Sequence, residues 1–380
     1  MTGCCGSFNR GRSTNNNPMK QFMYLLDNGF VVREREIGGE MCYLVFPSSL
    51  GVKWTKNNLI YRSSIWTADM KPVSLGFKKF FNFGEAPELV RDPRSSDILL
   101  GGSVVEKIDG SCLIVSRFKG QLICRTRGTF DAREKPTGNE LDYLEKKYPK
   151  AFQNDDLASE QCSYVYEWTT SANRIVVDYG EEPNIRLIAR ISHEDYRYSY
   201  QTVLDGIAQD IAVSRPYRLL APGVSMIKTQ LEKMRLSEGY CVYFNDDQDI
   251  KKMKCDWYLK AHRFRSNCSL PYILDLFLEQ DCPDITSFVE ALEKEYDFEC
   301  APEVRSYASS VCRAYADVQV LILRVKDFTG TLDGKNNRKA AAEAILAEYK
   351  DSGLTGVAFN CLDGRQTTKH QLKQLILQQL

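Results

Sequence analysis

The stretch Val104-Val105-Glu106-Lys107-Ile108-Asp109-Gly110-Ser111 constrains this chain more than any other, because it sets one lysine between β-forming residues and follows it with a bend. Val104 and Val105 before it, and Leu113, Ile114 and Val115 after it, favour extended backbone on both sides. Lys107 is therefore predicted at a strand end or tight turn, with Gly110 permitting the bend. A lysine held against apolar neighbours is the kind that can lose its proton and act as a nucleophile. A solvated surface hairpin satisfies the same residues, so the reading turns on what accompanies them along the chain.

At 380 residues the chain has room for about two domains. Its formal net charge is zero, so a polyanionic partner would need a local basic surface. The 13 cysteines are scattered, with no pair of Cys-x-x-Cys motifs to hold zinc, and read as reduced thiols of a cytosolic protein. No apolar run would span a bilayer and no secretory pattern opens the chain, so a cytoplasmic location without a membrane partner is expected. Residues 1–18, rich in Gly, Ser and Asn and containing Cys4-Cys5, read as a disordered tail. Arg10 and Arg12 within it are solvated tail charges or a weak polyanion contact.

From Met41 to Trp66 short apolar runs (Met41 to Phe46, then Leu59 to Tyr61) alternate with turn residues, as in an antiparallel sheet. Arg62 follows the second run, and Lys78 and Lys79 sit among Phe77, Phe80, Phe81 and Phe83, a cluster that serves as core or as binding site. After the lysine motif, Ser116 to Gly120 reads as a turn and Leu122 to Gly128 as a strand. Its Arg125 and Arg127 would share one face, either solvated or in contact with phosphate. Asn139 to Phe152 has helical spacing. Tyr164 to Trp168 and Arg174 to Tyr179 read as two strands around Ser171-Ala172-Asn173, with Glu167 placed where a carboxylate is partly buried and needs a partner or a task. Ile185 to Ile191 is a further strand, and Arg215 to Arg235 reads as mostly helical.

Glu238 to Phe244 is a strand that opens on a carboxylate and leads through Asn245-Asp246-Asp247 into Ile250 to Tyr258. Lys252 and Lys254, two apart, would point to one face and repel unless that face meets a polyphosphate. Beyond about Ser266 the pattern turns helical. Asp284 is placed to cap Ile285 to Tyr296, Val304 to Val318 repeats at helical spacing, and Asn337 to Tyr349 is an alanine-rich helix with basic residues at its start. The expected fold is α+β: an antiparallel-sheet domain over 19–265, then an all-helical domain over 266–380.

Taken together these elements resemble the phage-type ATP-dependent RNA ligase 1 family of the covalent nucleotidyltransferase superfamily. Lys107-Ile108-Asp109-Gly110 resembles the nucleophile motif, and Tyr164 to Trp168 with Ala172 to Val176 the third motif. Glu238-Gly239 resembles the fourth, and Lys252-Met253-Lys254 with Asp256-Trp257-Tyr258 the fifth. Arg62 and Lys79 to Asn82 are similar to the family's N-terminal elements, and the resemblance extends from about Met41 to Glu343. The chain departs from the pattern at Ser63, where the family favours glycine, at Cys112, where leucine is usual, and at Phe46, where a tyrosine is expected near the nucleotide.

The resemblance implies a nucleotidyltransferase (ATP-grasp-like ligase) fold for the sheet domain. It implies joining of a 5′-phosphate to a 3′-hydroxyl through lysine-AMP and RNA-adenylate, with ATP and Mg²⁺ (Mn²⁺ substituting) as cofactors. It implies Lys107 as the nucleophile, with Glu167, Glu238 and Tyr258 in the catalytic set. Phe46, Arg62, Lys79, Glu106, Asp109, Gly110, Arg127, Glu167, Lys252 and Lys254 would contact the nucleotide. Lys107 must be neutral to attack, and nearby Lys252, Lys254 and a divalent metal would disfavour its charged form. Asp284 is a metal ligand by resemblance or a helix cap by position. The implied partner is RNA, above all cleaved tRNA, acted on by a monomer whose ends a separate polynucleotide kinase-phosphatase could prepare, since the sequence carries no P-loop. A DNA ligase or capping guanylyltransferase would carry an OB barrel after the lysine pair, and an inactive RNA-binding relative would show a changed nucleophile.

Overall fold

The computed structural model describes residues 18–48, 51–219, 223–281, 284–296 and 302–380. Cys4, Cys5, Arg10 and Arg12 lie outside them, and Pro18 already opens the helix Pro18–Asp27. The chain divides into two compact units, 1–259 and 260–380, so the division falls inside the helix Asp256–Asn267 rather than at 265/266.

The first unit is built on three sheets. β1 (Phe30–Ile37), β2 (Glu40–Pro47), β3 (Ser64–Thr67) and β4 (Pro72–Leu75) form an antiparallel meander. β5 (Phe81–Asn82) and β6 (Ser103–Lys107) belong to a second sheet, and β7 (Ser111–Phe118), β8 (Gln121–Arg125), β9 (Cys162–Thr169) and β10 (Asn184–Ser192) form a third, in the order β10-β9-β7-β8. β11 (Arg218–Leu219), β12 (Gly239–Phe244) and β13 (Asp249–Lys254) complete the second sheet in the order β11-β6-β12-β13-β5. β10 alternates buried and half-buried positions along its length, with Ile185, Leu187, Ala189 and Ile191 in the core, as expected of a strand with one face packed. Val45 of β2, Leu75 of β4, Ile114 of β7 and Val165 of β9 share one cluster that joins the first sheet to the third.

Several segments depart from the sequence reading. Leu59–Arg62 is a turn of 3₁₀ helix rather than a strand, with Tyr61 buried. Ser116 to Phe118 continues β7, and the turn is confined to Lys119-Gly120, where both residues have positive φ. The helix expected over Asn139 to Phe152 is two, Glu140–Lys147 and Pro149–Phe152, because a proline opens the second. Arg174 to Tyr179 is an irregular loop, not a strand, and among the described residues of Arg215 to Arg235 the helix covers Val224–Lys233. Asp256-Trp257-Tyr258 begins a helix rather than extending β13.

The second unit holds helices and, among the described residues, no strand. Its axis is the helix Pro302–Gly330, whose Val304, Ala308, Val311, Val318, Ile322 and Val325 fall on one buried stripe. Helices Leu270–Glu279, Ile285–Tyr296, Thr355–Leu362 and Lys369–Gln379 pack against it. Asp284 caps the second of these: Oδ1 accepts from the amides of Thr286 and Ser287 at 2.9 and 3.0 Å. The cap position accounts for this carboxylate. The described residues place no group of three or more His, Cys, Asp or Glu anywhere that could hold a metal ion.

Candidate active site

Strand register builds the site. Lys107 ends β6 opposite Gly239 of β12, and Gly239 lies opposite Lys254 of β13. Directly opposed residues of an antiparallel pair point to the same face, so Lys107 and Lys254 flank a position that has no side chain, about 10 Å apart across two strand spacings. Gly239 has φ +138° and an added Cβ would meet the Met253 carbonyl oxygen at 2.1 Å, so no other residue fits. Into this gap turns Glu238, buried, with Oε2 2.6 Å from Lys107 Nζ and Oε1 2.9 Å from Lys254 Nζ. One row along, Val105, Cys241 and Lys252 are opposed and face the same way.

These residues floor a cleft of about 1250 Å³ in the first unit, walled by Phe46, Arg62, Phe80, Gly110, Arg127, Asn173 and Glu167 among others. Phe80 supports two cations, with the Arg62 guanidinium 4.9 Å and Lys252 Nζ 5.5 Å from its ring centre. Phe46 stacks under Arg33 at 5.3 Å. Gly110 is required by close approach rather than by its torsion angle, since a Cβ would meet the Trp168 carbonyl oxygen at 2.5 Å. Its amide donates to Glu167 Oε1 at 3.2 Å.

The electrostatics invert one expectation. Burial alone would lower the Lys107 pKa, but the carboxylates of Glu238 and Glu167 outweigh it and hold the group well above its ordinary value. The lysine pair expected to neutralise Lys107 does not act so here, because Glu238 lies between Lys107 and Lys254. Burial raises Glu167 to about 7, against the opposing pull of Lys107. Lys252, with no ion pair among the described residues, is lowered to about 8 by burial and then by Lys79, Arg62, Lys107 and Lys254.

Other expected contacts fall elsewhere. Asp109 is turned inward: Oδ2 accepts from the amides of Val176 and Val177 at 2.8 and 3.0 Å, and Oδ1 from the Tyr258 hydroxyl at 2.7 Å. The Tyr179 hydroxyl oxygen joins the same turn by accepting from the Asp109 amide at 3.0 Å. Asp109 and Tyr258 thus brace the turn behind Lys107 instead of lining the cleft. The ring of Tyr258 also lies 4.7 Å from Lys254 Nζ. Lys79 is outside the cleft lining, with Nζ 4.8 Å from the Phe81 ring and 5.6 Å from Trp54. The strand alternation turns the Glu106 side chain away from Lys107, leaving its backbone to the cleft. Arg127 lies beyond the end of β8 and is exposed, whereas Arg125 is fully buried, so the two do not share a face. The sequence places Phe80 only within an aromatic cluster that serves as core or as binding site, and gives Cys241 in the floor no role. Cys241 was within reach, being two residues beyond Gly239 on the same strand face.

A family model described as RNA ligase, of the phage T4 RNA ligase 1 type, matches residues 61–266, just over half the chain, and the chain belongs to this family. Within it, the chain is 32% identical to an RNA ligase of Rhodothermus phage RM378, over 38% of this chain and 40% of that protein. It is 26% identical to a protein of Autographa californica nuclear polyhedrosis virus named for a bifunctional polynucleotide kinase/RNA ligase, over 52% of this chain and 30% of that protein. The chain therefore spans less than half the length of these relatives. Among solved structures it is similar to a Naegleria gruberi RNA ligase variant with ATP and Mn, at 13% identity and a TM-score of 0.40, covering 66% of this chain and 83% of that one. The family assignment rests on the match over 61–266.

Proposed function

We propose that this chain is an ATP-dependent RNA ligase that joins 5′-phosphate and 3′-hydroxyl ends through lysine-AMP and RNA-adenylate. The observation that carries the reading is the row of Lys107, Glu238 and Lys254 in a cleft also lined by Arg33, Arg62, Arg127, Lys135 and Lys252, so that its cations outnumber the lining carboxylates Glu106, Glu167 and Glu238. Such a surplus suits a triphosphate. The Lys107 Nζ lone pair forms a bond to the α-phosphorus as the bond to the pyrophosphate oxygen breaks. Lys252 and Lys254 neutralise the phosphates, and Glu167 accepts from the ribose hydroxyls. Lys107 must first give up its proton to water in the cleft, so Glu238 has to loosen its hold as the nucleotide enters. Mg²⁺ commonly binds through one or two carboxylates and substrate phosphates, and Glu238 and Glu167 fit that donor set. When bound, the ion supplies positive charge that offsets the phosphates and disfavours a charged Lys107.

The helices that follow Lys254 support an RNA ligase over a DNA ligase or capping enzyme, which would place an OB barrel there. We assign the helical unit to RNA selection, with Lys335, Arg338 and Lys339 as backbone contacts, and a cleaved tRNA as substrate for a cytoplasmic monomer. The test is ligation of a nicked anticodon stem-loop beside an unstructured strand, both with 5′-phosphate and 3′-hydroxyl ends. Sealing of the stem-loop in preference is expected; sealing of neither, with ATP and Mg²⁺ present, contradicts the function.

A further inference from the structure

Arg125 is a buried cation with an unusual set of partners. Lys107 meets Glu238, and fully buried Lys251 has Asp92 at 3.3 Å, but Arg125 has no ion pair among the described residues. All of its hydrogen bonds run to neutral oxygens. Nε donates to Ser74 Oγ at 2.8 Å, Nη1 to Ser63 Oγ at 2.9 Å and the Thr126 carbonyl at 3.1 Å, and Nη2 to the carbonyls of Ser63 at 3.1 Å and Ser74 at 2.9 Å. Ser63 Oγ passes the contact on, donating to the Arg127 carbonyl at 3.1 Å. Ser63 follows Arg62 and Thr126 precedes Arg127, so one guanidinium holds the backbone beside both cleft arginines.

A staple from β8 to Ser63 and β4 does not need a charge, and burying one without a counter-charge costs stability. Departures of this kind concentrate where function requires them. We propose that Arg125 is a positioning residue for the nucleotide phosphates, fixing the backbone that carries Arg62 and Arg127 and adding its own unmatched charge to their field. Ser63 is the link, and it stands at a departure from the family pattern. The inference rests on the reading that this cleft binds ATP.

The test is a double-mutant cycle on the full chain, with ATP affinity measured by calorimetry and folding by thermal melts. Arg125→Lys keeps the charge and loses the fork. It is expected to weaken ATP binding about tenfold, and by less than about twofold once Arg62→Ala and Arg127→Ala are already present, because it acts through them. Affinity equal to wild type, or the same loss in that background, overturns the proposal. If Arg125→Lys does not melt cooperatively, Ser63→Ala carries the test: about a threefold loss that disappears with Arg127→Ala is expected, and no loss or an undiminished one overturns it. A wild-type protein that binds ATP but forms no lysine adduct defeats the ligase reading alone, and the binding cycle still decides the role of Arg125.

Discussion

The two units place their charges differently. In the helical unit the core is apolar, with Phe277, Phe288, Val311 and Ile345 at its centre, and ion pairs such as Lys373–Asp275 lie near the surface with both side chains about a third or more exposed. In the sheet unit Glu238 is 3% exposed and bridges two lysines inside a cleft. Water screens the first kind of pair and hardly reaches the second. Charges that have been taken out of water are costly to leave unpaired, and they respond strongly to a charged ligand. The contrast favours the sheet unit as the seat of the proposed chemistry without reference to any motif.

That contrast is sharpest at the motif-five lysines. Lys252→Ala or Lys254→Ala should lower the rate of lysine-AMP formation by about 10²–10³-fold with the fold intact, measured by adduct formation and circular dichroism. Both variants working at the wild-type rate would reduce the pair to an ordinary strand face.

A smaller effect follows from the depressed pKa of Lys252. The free protein carries this charge below about 8 and loses it as pH rises through that value. A triphosphate favours the charged form, so binding near pH 8 should take up a proton, and affinity should fall above it. Calorimetry in buffers of different ionisation enthalpy reads the uptake, which should be absent in Lys252→Ala. The smallest effect belongs to the helical unit: Lys373→Ala should change stability by less than about 1 kcal/mol in thermal melts, as exposed pairs do. A much larger loss would break the contrast between the two units.

Local pattern carried much of this structure. The β-formers around Lys107, the spacing of Lys252 and Lys254, and the cap at Asp284 are all short-range signals, and each element is found where the pattern placed it. What escaped depends on partners distant in sequence. Arg125 reads as sharing a face with Arg127, solvated or in contact with phosphate, because its acceptors, Ser63 and Ser74, lie 62 and 51 residues away. Asp109 looks free to meet a ligand until the Val176-Val177 loop and Tyr258 close around it. The charge on Lys107 follows from Glu238, 131 residues on, which strand pairing brings to its side. Leu59–Arg62 and Arg174 to Tyr179 have strand composition, yet tertiary contacts set their conformation.

The most direct test is chemical. The protein is incubated with α-labelled ATP and Mg²⁺, resolved on a denaturing gel, and mapped by mass spectrometry. AMP is expected on Lys107 Nζ, stable in base and labile in acid, and absent from Lys107→Ala. An adduct that survives in that variant, maps to another lysine, or forms only with GTP would contradict the proposed function.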